Sequence, residues 1–204
     1  MLDFRRHWLT ILSGAAALVL VVFAVSVIKA NQGELSQTPR VTSDDPVLGS
    51  SGGLKIIVFT DFACEFCKAE VPILKSILAD YQKDVQLVFK DAPLPTHPTA
   101  RRAAEIARCA QDQGKFWQMH DLLFEKQTQL GTIALVDLAK DAEADAAALE
   151  QCMTTGGGKA RVDASVAESQ RMLVNDVPTI FIGDERFTGL QEENTLRQAI
   201  NGRL

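Results

Sequence analysis

The fold is decided by the stretch Phe59-Thr60-Asp61-Phe62-Ala63-Cys64-Glu65-Phe66-Cys67-Lys68, in which two cysteines lie three residues apart. The preceding run, residues 54–59, is apolar and rich in β-branched and aromatic types, which predicts a buried strand. The residues that follow place apolar side chains at helical spacings of three and four, namely Cys67, Val71, Leu74, Leu78 and Tyr81. The cysteines therefore lie where a strand ends and the first turn of a helix begins.

The start of a helix favours an anion at the first of these cysteines. Unpaired N–H groups and the positive end of the helix dipole point there. Thiols in this setting have a pKa lowered from about 8.5 to roughly 3.5–7.5. Cys67 faces the same way as Cys64, since residues three apart share a helix face. Cys67 can therefore attack a mixed disulfide at Cys64, which is the geometry of dithiol–disulfide exchange.

Two other interpretations of the C-x-x-C pair are half of a metal site and an inert structural disulfide. A tetrahedral zinc site needs two more ligands. Cys109 and Cys152 stand alone, and no second closely spaced pair of ligands occurs; the histidines are His7, His97 and His120. Redox exchange is therefore favoured, and we expect no metal and no cofactor.

Composition limits the classes of function. The chain has 204 residues and a formal net charge of −5, without a long basic run. Nucleic-acid binding would call for a basic patch, so we expect no nucleic-acid partner. The four cysteines are an even number, which suits two pairs in an oxidising compartment.

The N-terminal segment predicts a membrane anchor. Residues 8–28 contain no charged side chain and can cross the ~30 Å hydrocarbon core as a helix. Two arginines precede this span and only Lys29 follows it closely, which predicts a cytoplasmic N-terminus. Residues 1–30 are thus expected to be a cytoplasmic tip and single-pass anchor in the inner membrane, with the remaining chain on the periplasmic side. A cleaved signal peptide, with residues 24–26 as cleavage site, is the alternative.

The rest of the chain divides into a tether and one domain. Residues 31–53 are polar and rich in Ser, Gly, Asp, Thr and Pro, which predicts a flexible linker without structure of its own. The domain spans residues 54–204. The predicted order of its elements is βαβ, an all-helical block at about 95–174, and then ββα. This order predicts an α/β fold with a helical insertion. Pro72 lies inside the first helical pattern and either kinks that helix or divides it.

Several ordered blocks resemble the DsbA-like thioredoxin superfamily. These are the opening stretch, Phe89-Lys90-Asp91-x-Pro93-Leu94, Cys109-Ala110-x-x-x-Gly114-Lys115-Phe116-Trp117, Met119-His120-Asp121-x-Leu123-Phe124 and Val177-Pro178-Thr179. The resemblance covers about residues 54–203. It implies a thioredoxin fold with an inserted all-helical domain. It also implies thiol–disulfide oxidoreductase activity in the bacterial periplasm or its equivalent.

The resemblance assigns roles to four residues. Cys64 would be the attacking, solvent-reachable thiol and Cys67 the more buried resolving thiol. Pro178 would be a cis-proline opposite the active-site disulfide. The backbone of Val177 would then pair with an extended substrate chain. Without the C-x-x-C pair, Val177-Pro178 would read as the ordinary start of a strand.

The chain departs from the family pattern in the dipeptide between the cysteines and at Val58. The dipeptide between the cysteines begins with Glu65, whose charge opposes a thiolate at Cys64. We therefore expect a less oxidising couple than in the strongest members. Val58 stands where many thioredoxins place a buried acid that shuttles a proton. Asp61 is a possible substitute, or else a turn or cap residue.

Cys109 and Cys152 both lie among apolar positions of the helical block. A structural disulfide that joins two inserted helices is preferred, and a second exchange pair is the alternative. Closing a loop of this size would stabilise the domain by roughly 4 kcal/mol on the chain-entropy model.

The expected function is disulfide exchange on exported cysteine-containing proteins, in the disulfide-forming direction. A membrane redox partner of unknown identity would reoxidise Cys64 and Cys67. One alternative is a disulfide reductase or isomerase. Another is a tethered binding module or holdase without turnover.

Overall fold

The computed structural model describes residues 38–204, which form a five-stranded sheet covered by helices. The strands are β1 (Val47–Gly49), β2 (Leu54–Thr60), β3 (Val85–Asp91), β4 (Thr179–Ile182) and β5 (Glu185–Thr188). Their order across the sheet is β1-β3-β2-β4-β5. β2 is parallel to β3 and antiparallel to β4, and both edge strands pair antiparallel with their neighbours. The α/β class predicted from the sequence is confirmed.

Seven α-helices connect and cover these strands in the described part of the chain. They are α1 (Glu65–Asp80), α2 (Ala100–Gln111), α3 (Phe116–Glu125), α4 (Leu135–Asp141), α5 (Ala146–Thr155), α6 (Gly157–Arg171) and α7 (Glu193–Asn201). A short 3₁₀ turn, Gln127–Gln129, follows α3. Helix α1 is continuous through Pro72, so the proline does not divide it. Helices α2 to α6 all lie between β3 and β4, as the predicted insertion requires.

The central strand β2 is buried on both faces because its alternate side chains enter two different cores. Ile56 and Val58 pack with apolar residues of α1 and α7. Ile57 and Phe59 pack instead with those of the inserted helices. This is why β2 reads as a continuous apolar run rather than an alternating one. The end of β2, where the cysteines follow, is thereby held from both sides.

The prediction of a structureless tether over residues 31–53 is wrong for its last part. Residues 47–49 form the edge strand β1, paired with β3. Just before it, Asp45 makes a buried ion pair with Lys90 of β3, with 2.6 Å between Oδ2 and Nζ. Each charge compensates the other, because a buried charge without its partner would strongly destabilise the fold. The folded domain therefore begins before Leu54.

The predicted membrane span, residues 8–28, lies outside the described residues. Within residues 38–204, the structure contains no helix with the length and apolar character needed to cross a bilayer.

Helices α2 and α6 approach so closely that one position tolerates no side chain. A Cβ at Gly158 would lie 2.3 Å from the carbonyl oxygen of Glu105 and 3.0 Å from the Sγ of Cys109. Gly158→Ala is therefore expected to lower the free energy of unfolding by about 1–3 kcal/mol, because the helices must separate. Urea unfolding measures this. Gly52→Ala is the control, since a Cβ there meets nothing within 4 Å; equal stability of the two variants would contradict the close approach.

Candidate active site at the start of helix α1

Cys64 is the N-cap residue of α1, with extended backbone angles of φ −84° and ψ 123°. Its own N–H donates to the carbonyl oxygen of Asp61 at 3.1 Å, which closes the turn between β2 and the helix. No side chain caps this helix start. The N–H groups of the first turn are therefore left to interact with the Cys64 sulfur, as the sequence pattern predicts.

The surroundings of Cys64 favour its thiolate. A hydrogen bond from the side chain of Cys67, aided by the backbone N–H groups of Cys67 and Phe66, lowers the pKa of Cys64 from 9.0 to about 6. Burial and the charge of Asp61 act in the opposite direction. The favourable hydrogen bonds win, so Cys64 is mostly ionised at neutral pH. The opposing acid identified here is Asp61, whereas Glu65 is exposed to water.

Cys67 has the opposite character. Only 1% of it is exposed, against 6% for Cys64. Burial, together with its hydrogen bond to Cys64, raises the pKa of Cys67 well above the ordinary range. Its sulfur also accepts a hydrogen bond from the N–H of Asp61 at 3.4 Å. The two thiols therefore differ in the way that an attacking and a resolving cysteine must differ.

The structure brings Val177 and Pro178 against Cys64. The Val177–Pro178 peptide bond is cis. In its protonated form, the Cys64 thiol donates to the carbonyl oxygen of Val177, with 3.6 Å between sulfur and oxygen. On the other side, the N–H of Gly189 donates to the carbonyl oxygen of Pro178 at 2.8 Å. The four residues that the resemblance singled out thus meet at one place, although Cys64 and Val177 are 113 positions apart in the chain.

Asp61 has the structural role that the sequence left open. Its carboxylate, fully buried, accepts hydrogen bonds from the N–H groups of Ala63 at 2.7 Å and Leu94 at 2.8 Å. It also bonds Nδ1 of His97 at 2.8 Å. These bonds fasten the active-site turn to the loop after β3. Asp61 is therefore a turn-stabilising residue with its acceptors occupied.

Two residues near the cysteines were missed by the sequence reasoning. The side-chain amide of Gln127 donates to the carbonyl oxygens of Phe62 and Cys64 at 2.8 and 2.9 Å. It reaches them from the 3₁₀ turn of the insertion, and no local pattern indicates such a contact. Glu70 is buried on α1, one turn after Cys67. Its signal was visible, because an acid interrupts the apolar stripe of that helix.

Cys109 and Cys152 form a disulfide, with Cα atoms 5.7 Å apart. It joins α2 to α5 inside the insertion, which is the structural pairing preferred from the sequence. Cys64 and Cys67 are the free cysteines. Among the residues that the structure describes, no group of three or more His, Cys, Asp or Glu side chains is placed to hold a metal ion.

The ionisation of Cys64 makes the stability of the dithiol form pH-dependent. Its folded pKa of about 6 lies below the ordinary 9.0, so its contribution is fully present above about pH 9 and is lost as pH falls through about 6. Between those values we expect the free energy of unfolding, relative to Cys64→Ala, to rise by roughly 1.4 kcal/mol per pH unit at most. Urea unfolding of both reduced proteins measures this. A difference that stays constant with pH would contradict the lowered pKa.

Comparison with known proteins identifies the family. A family profile described as "Thioredoxin" matches residues 41–202, which is most of the chain. The matched region includes the edge strand β1, the cysteine pair and the whole insertion.

Curated relatives match over a part of their own length. The Na(+)/H(+) antiporter NhaA 3 of Salinispora tropica is 31% identical over 146 residues, covering 71% of this chain and 22% of that protein. NhaA 1 of Salinispora arenicola is 30% identical with the same coverage. The chain thus spans about a fifth of the length of these relatives.

Solved structures share the fold. Oxidised BdbD from Bacillus subtilis has a TM-score of 0.71 at 24% identity, covering 82% of this chain and 96% of that one. DsbA2 from Pseudomonas aeruginosa has a TM-score of 0.67 at 22% identity, with coverage of 81% and 97%. The thiol-disulfide exchange protein alpha-DsbA2 from Wolbachia pipientis also reaches 0.67, at 20% identity over 78% and 87%. Because the family profile spans residues 41–202, the chain belongs to the thioredoxin family.

Proposed function

We propose that this protein is a membrane-anchored thiol–disulfide oxidoreductase that introduces disulfides into exported proteins. One observation carries the proposal: an acidified thiol, Cys64, lies between a buried partner thiol, Cys67, and the carbonyl oxygen of Val177. A thiolate is both the better nucleophile and the better leaving group in disulfide exchange. The reduced state of such a pair is stabilised, which favours transfer of its disulfide to a substrate.

In the oxidising direction, a substrate thiolate attacks Cys64 of the Cys64–Cys67 disulfide. The bond between the two active-site sulfurs breaks, a mixed disulfide forms at Cys64, and Cys67 leaves and takes up a proton. A second substrate thiolate then attacks the substrate sulfur of the mixed disulfide. The substrate leaves with a disulfide, and the protein is left as the dithiol. A membrane redox partner accepts the two electrons and restores the Cys64–Cys67 disulfide.

The substrate would be bound by its backbone beside Cys64. Val177 and Pro178 are placed for this, since the carbonyl oxygen of Val177 lies 3.6 Å from the reacting sulfur of Cys64. A substrate segment in extended form would pair with the backbone of Val177 by main-chain hydrogen bonds. Binding through main-chain hydrogen bonds depends little on the substrate sequence, which suits an enzyme that acts on many exported proteins.

The N-terminal sequence and the cysteines support a proposed location in the inner membrane. Residues 8–28 would anchor the chain in the inner membrane, with residues 38–204 on the periplasmic side. The Cys109–Cys152 disulfide supports an oxidising compartment. Two experiments test this. Protease added to spheroplasts should degrade the domain, and in untreated membranes the protein should sediment with the membranes after an alkaline wash. Protection from protease would contradict the orientation, and release by the wash would contradict the anchor.

Transfer of disulfides to a reduced, unfolded protein tests the activity. The purified protein with its Cys64–Cys67 disulfide is expected to oxidise the substrate in equal amount and to become the dithiol. Substrate that stays reduced while bound would instead support a binding module or holdase. The direction is tested by trapping thiols in intact cells: a pair found mostly as disulfide supports an oxidase, and one found mostly as dithiol supports a reductase.

A further inference from the structure

Glu70 is a buried carboxylate on the same face of α1 as Cys67. It lies three residues after Cys67, so the two side chains are neighbours on the helix surface, and only 1% of Glu70 is exposed. Its Oε2 accepts a hydrogen bond from the N–H of Gln191 at 3.1 Å. Its Oε1 is buried and has no hydrogen-bond partner within the described residues. A buried acceptor left unpaired costs free energy, which makes Glu70 a candidate for a functional role.

Glu70 and Cys67 line the same cavity, which has a volume of about 30 Å³. A buried water needs roughly 10–15 Å³ of such space and two or more polar partners, so one or two waters fit. Thr60, the last residue of β2, also lines the cavity and carries a polar hydroxyl group. A water bonded to the free Oε1 of Glu70 would therefore have polar partners on both sides.

The chemistry of Cys67 requires a proton partner at this place. Burial raises the pKa of Cys67, so this thiol does not ionise by itself near neutral pH. Burial also raises the pKa of Glu70, to about 7. A carboxyl group that titrates near the working pH is suited both to accept and to donate a proton.

We propose that Glu70 exchanges a proton with Cys67 through a water in this cavity, a role that rests on the proposed exchange activity. When Cys67 resolves a mixed disulfide, its S–H proton passes to the Glu70 carboxylate. The resulting thiolate attacks Cys64, and the substrate sulfur leaves with the electron pair. In the oxidising direction the same proton returns from Glu70 to Cys67 as Cys67 leaves. Glu70 thus accepts and returns the proton, which the apolar side chain of Val58 cannot do.

Other charged or titratable groups around the cavity are engaged elsewhere. Lys75 pairs with Asp121 at 2.7 Å. His120 is bonded through Nδ1 to the same Asp121, and burial lowers its pKa, so the ring is neutral at neutral pH. The Asp61 carboxylate already accepts three hydrogen bonds. Of these groups, Glu70 is the one with a buried acceptor atom left open.

A two-step reaction of the reduced protein with dithiobis(nitrobenzoate) separates the two thiols. Attack by Cys64 releases the first coloured thiolate, and attack by Cys67 on the mixed disulfide releases the second. In Glu70→Gln we expect the first release to be unchanged and the second to be slowed roughly tenfold or more at pH 7. The second release in the wild-type protein should also show an inflection near pH 7 that the variant lacks.

Glu192→Gln is the matched control, because it removes one exposed carboxylate at the start of α7. Both releases should match the wild type in that variant. A second release in Glu70→Gln that stays within about twofold of wild type, with the same pH profile, would overturn the role of Glu70. Failure of the first release in the wild-type protein would overturn the proposed function instead, so the two failures are distinguishable.

Carbon NMR of the wild-type protein, labelled at glutamate carboxyls, tests the same role without a variant. One glutamate should titrate near pH 7 in the dithiol form, and its midpoint should move when Cys64 and Cys67 are oxidised. A midpoint that stays fixed on oxidation would contradict proton exchange between Glu70 and Cys67. The test therefore stays decisive even if Glu70→Gln fails to fold.

Discussion

The Cys64→Ser variant is expected to lose disulfide transfer to the background rate of the uncatalysed reaction. Serine is nearly isosteric with cysteine, but its hydroxyl neither ionises near neutral pH nor forms a disulfide. The hydrogen bonds that lower the pKa of Cys64 would remain without a sulfur to act on. Oxidation of a reduced, unfolded protein, followed by thiol titration, measures the loss. Residual transfer well above background would place the reacting sulfur elsewhere.

The Cys67→Ser variant tests the resolving role of the second cysteine. Cys64 keeps its sulfur and can still form a mixed disulfide, but the buried resolving thiol is gone. We therefore expect covalent complexes with substrate proteins on non-reducing gels, which disappear on reduction. Absence of trapped species together with unchanged exchange would contradict the division of roles between the two cysteines.

Removing the Cys109–Cys152 disulfide is expected to have the largest effect on stability. The two cysteines are 43 residues apart in sequence. The chain-entropy model gives roughly 4 kcal/mol for a loop of this length. For a domain of this size that corresponds to a fall in Tm of about 10 °C. Thermal unfolding of the Cys109→Ala/Cys152→Ala double variant measures it.

The same double variant separates structure from catalysis. Disulfide transfer by Cys64 should persist at temperatures where the variant is folded, because the Cys109–Cys152 pair only ties α2 to α5. Loss of transfer in a folded double variant would instead support a second exchange pair. Unchanged thermal stability would contradict the structural role.

Much of the fold could be predicted because its signals are local. The apolar run of β2, the helical spacing after Cys67 and the length of the block between β3 and β4 are all visible in the sequence. The meeting of Cys64 with Val177 and Pro178 is not local. It was expected only through resemblance to a family, since no spacing relates residues so far apart.

The errors and omissions have physical causes. Strand β1 has only three residues, too few for a periodic pattern, and it is held by a long-range ion pair between Asp45 and Lys90. Polar composition alone therefore suggested a tether. Glu70 was not singled out, because an acid among apolar helix positions is visible in the sequence but its burial depends on the packing around it.

The measurement that tests the central claim most directly is the pH dependence of thiolate absorbance in the reduced protein, with Cys64→Ser as the blank. The account predicts a transition with a midpoint near pH 6, owing to the hydrogen bonds from Cys67 and the first turn of α1. A midpoint near the ordinary value of 9.0 would contradict it, because Cys64 would then be an unactivated thiol at neutral pH.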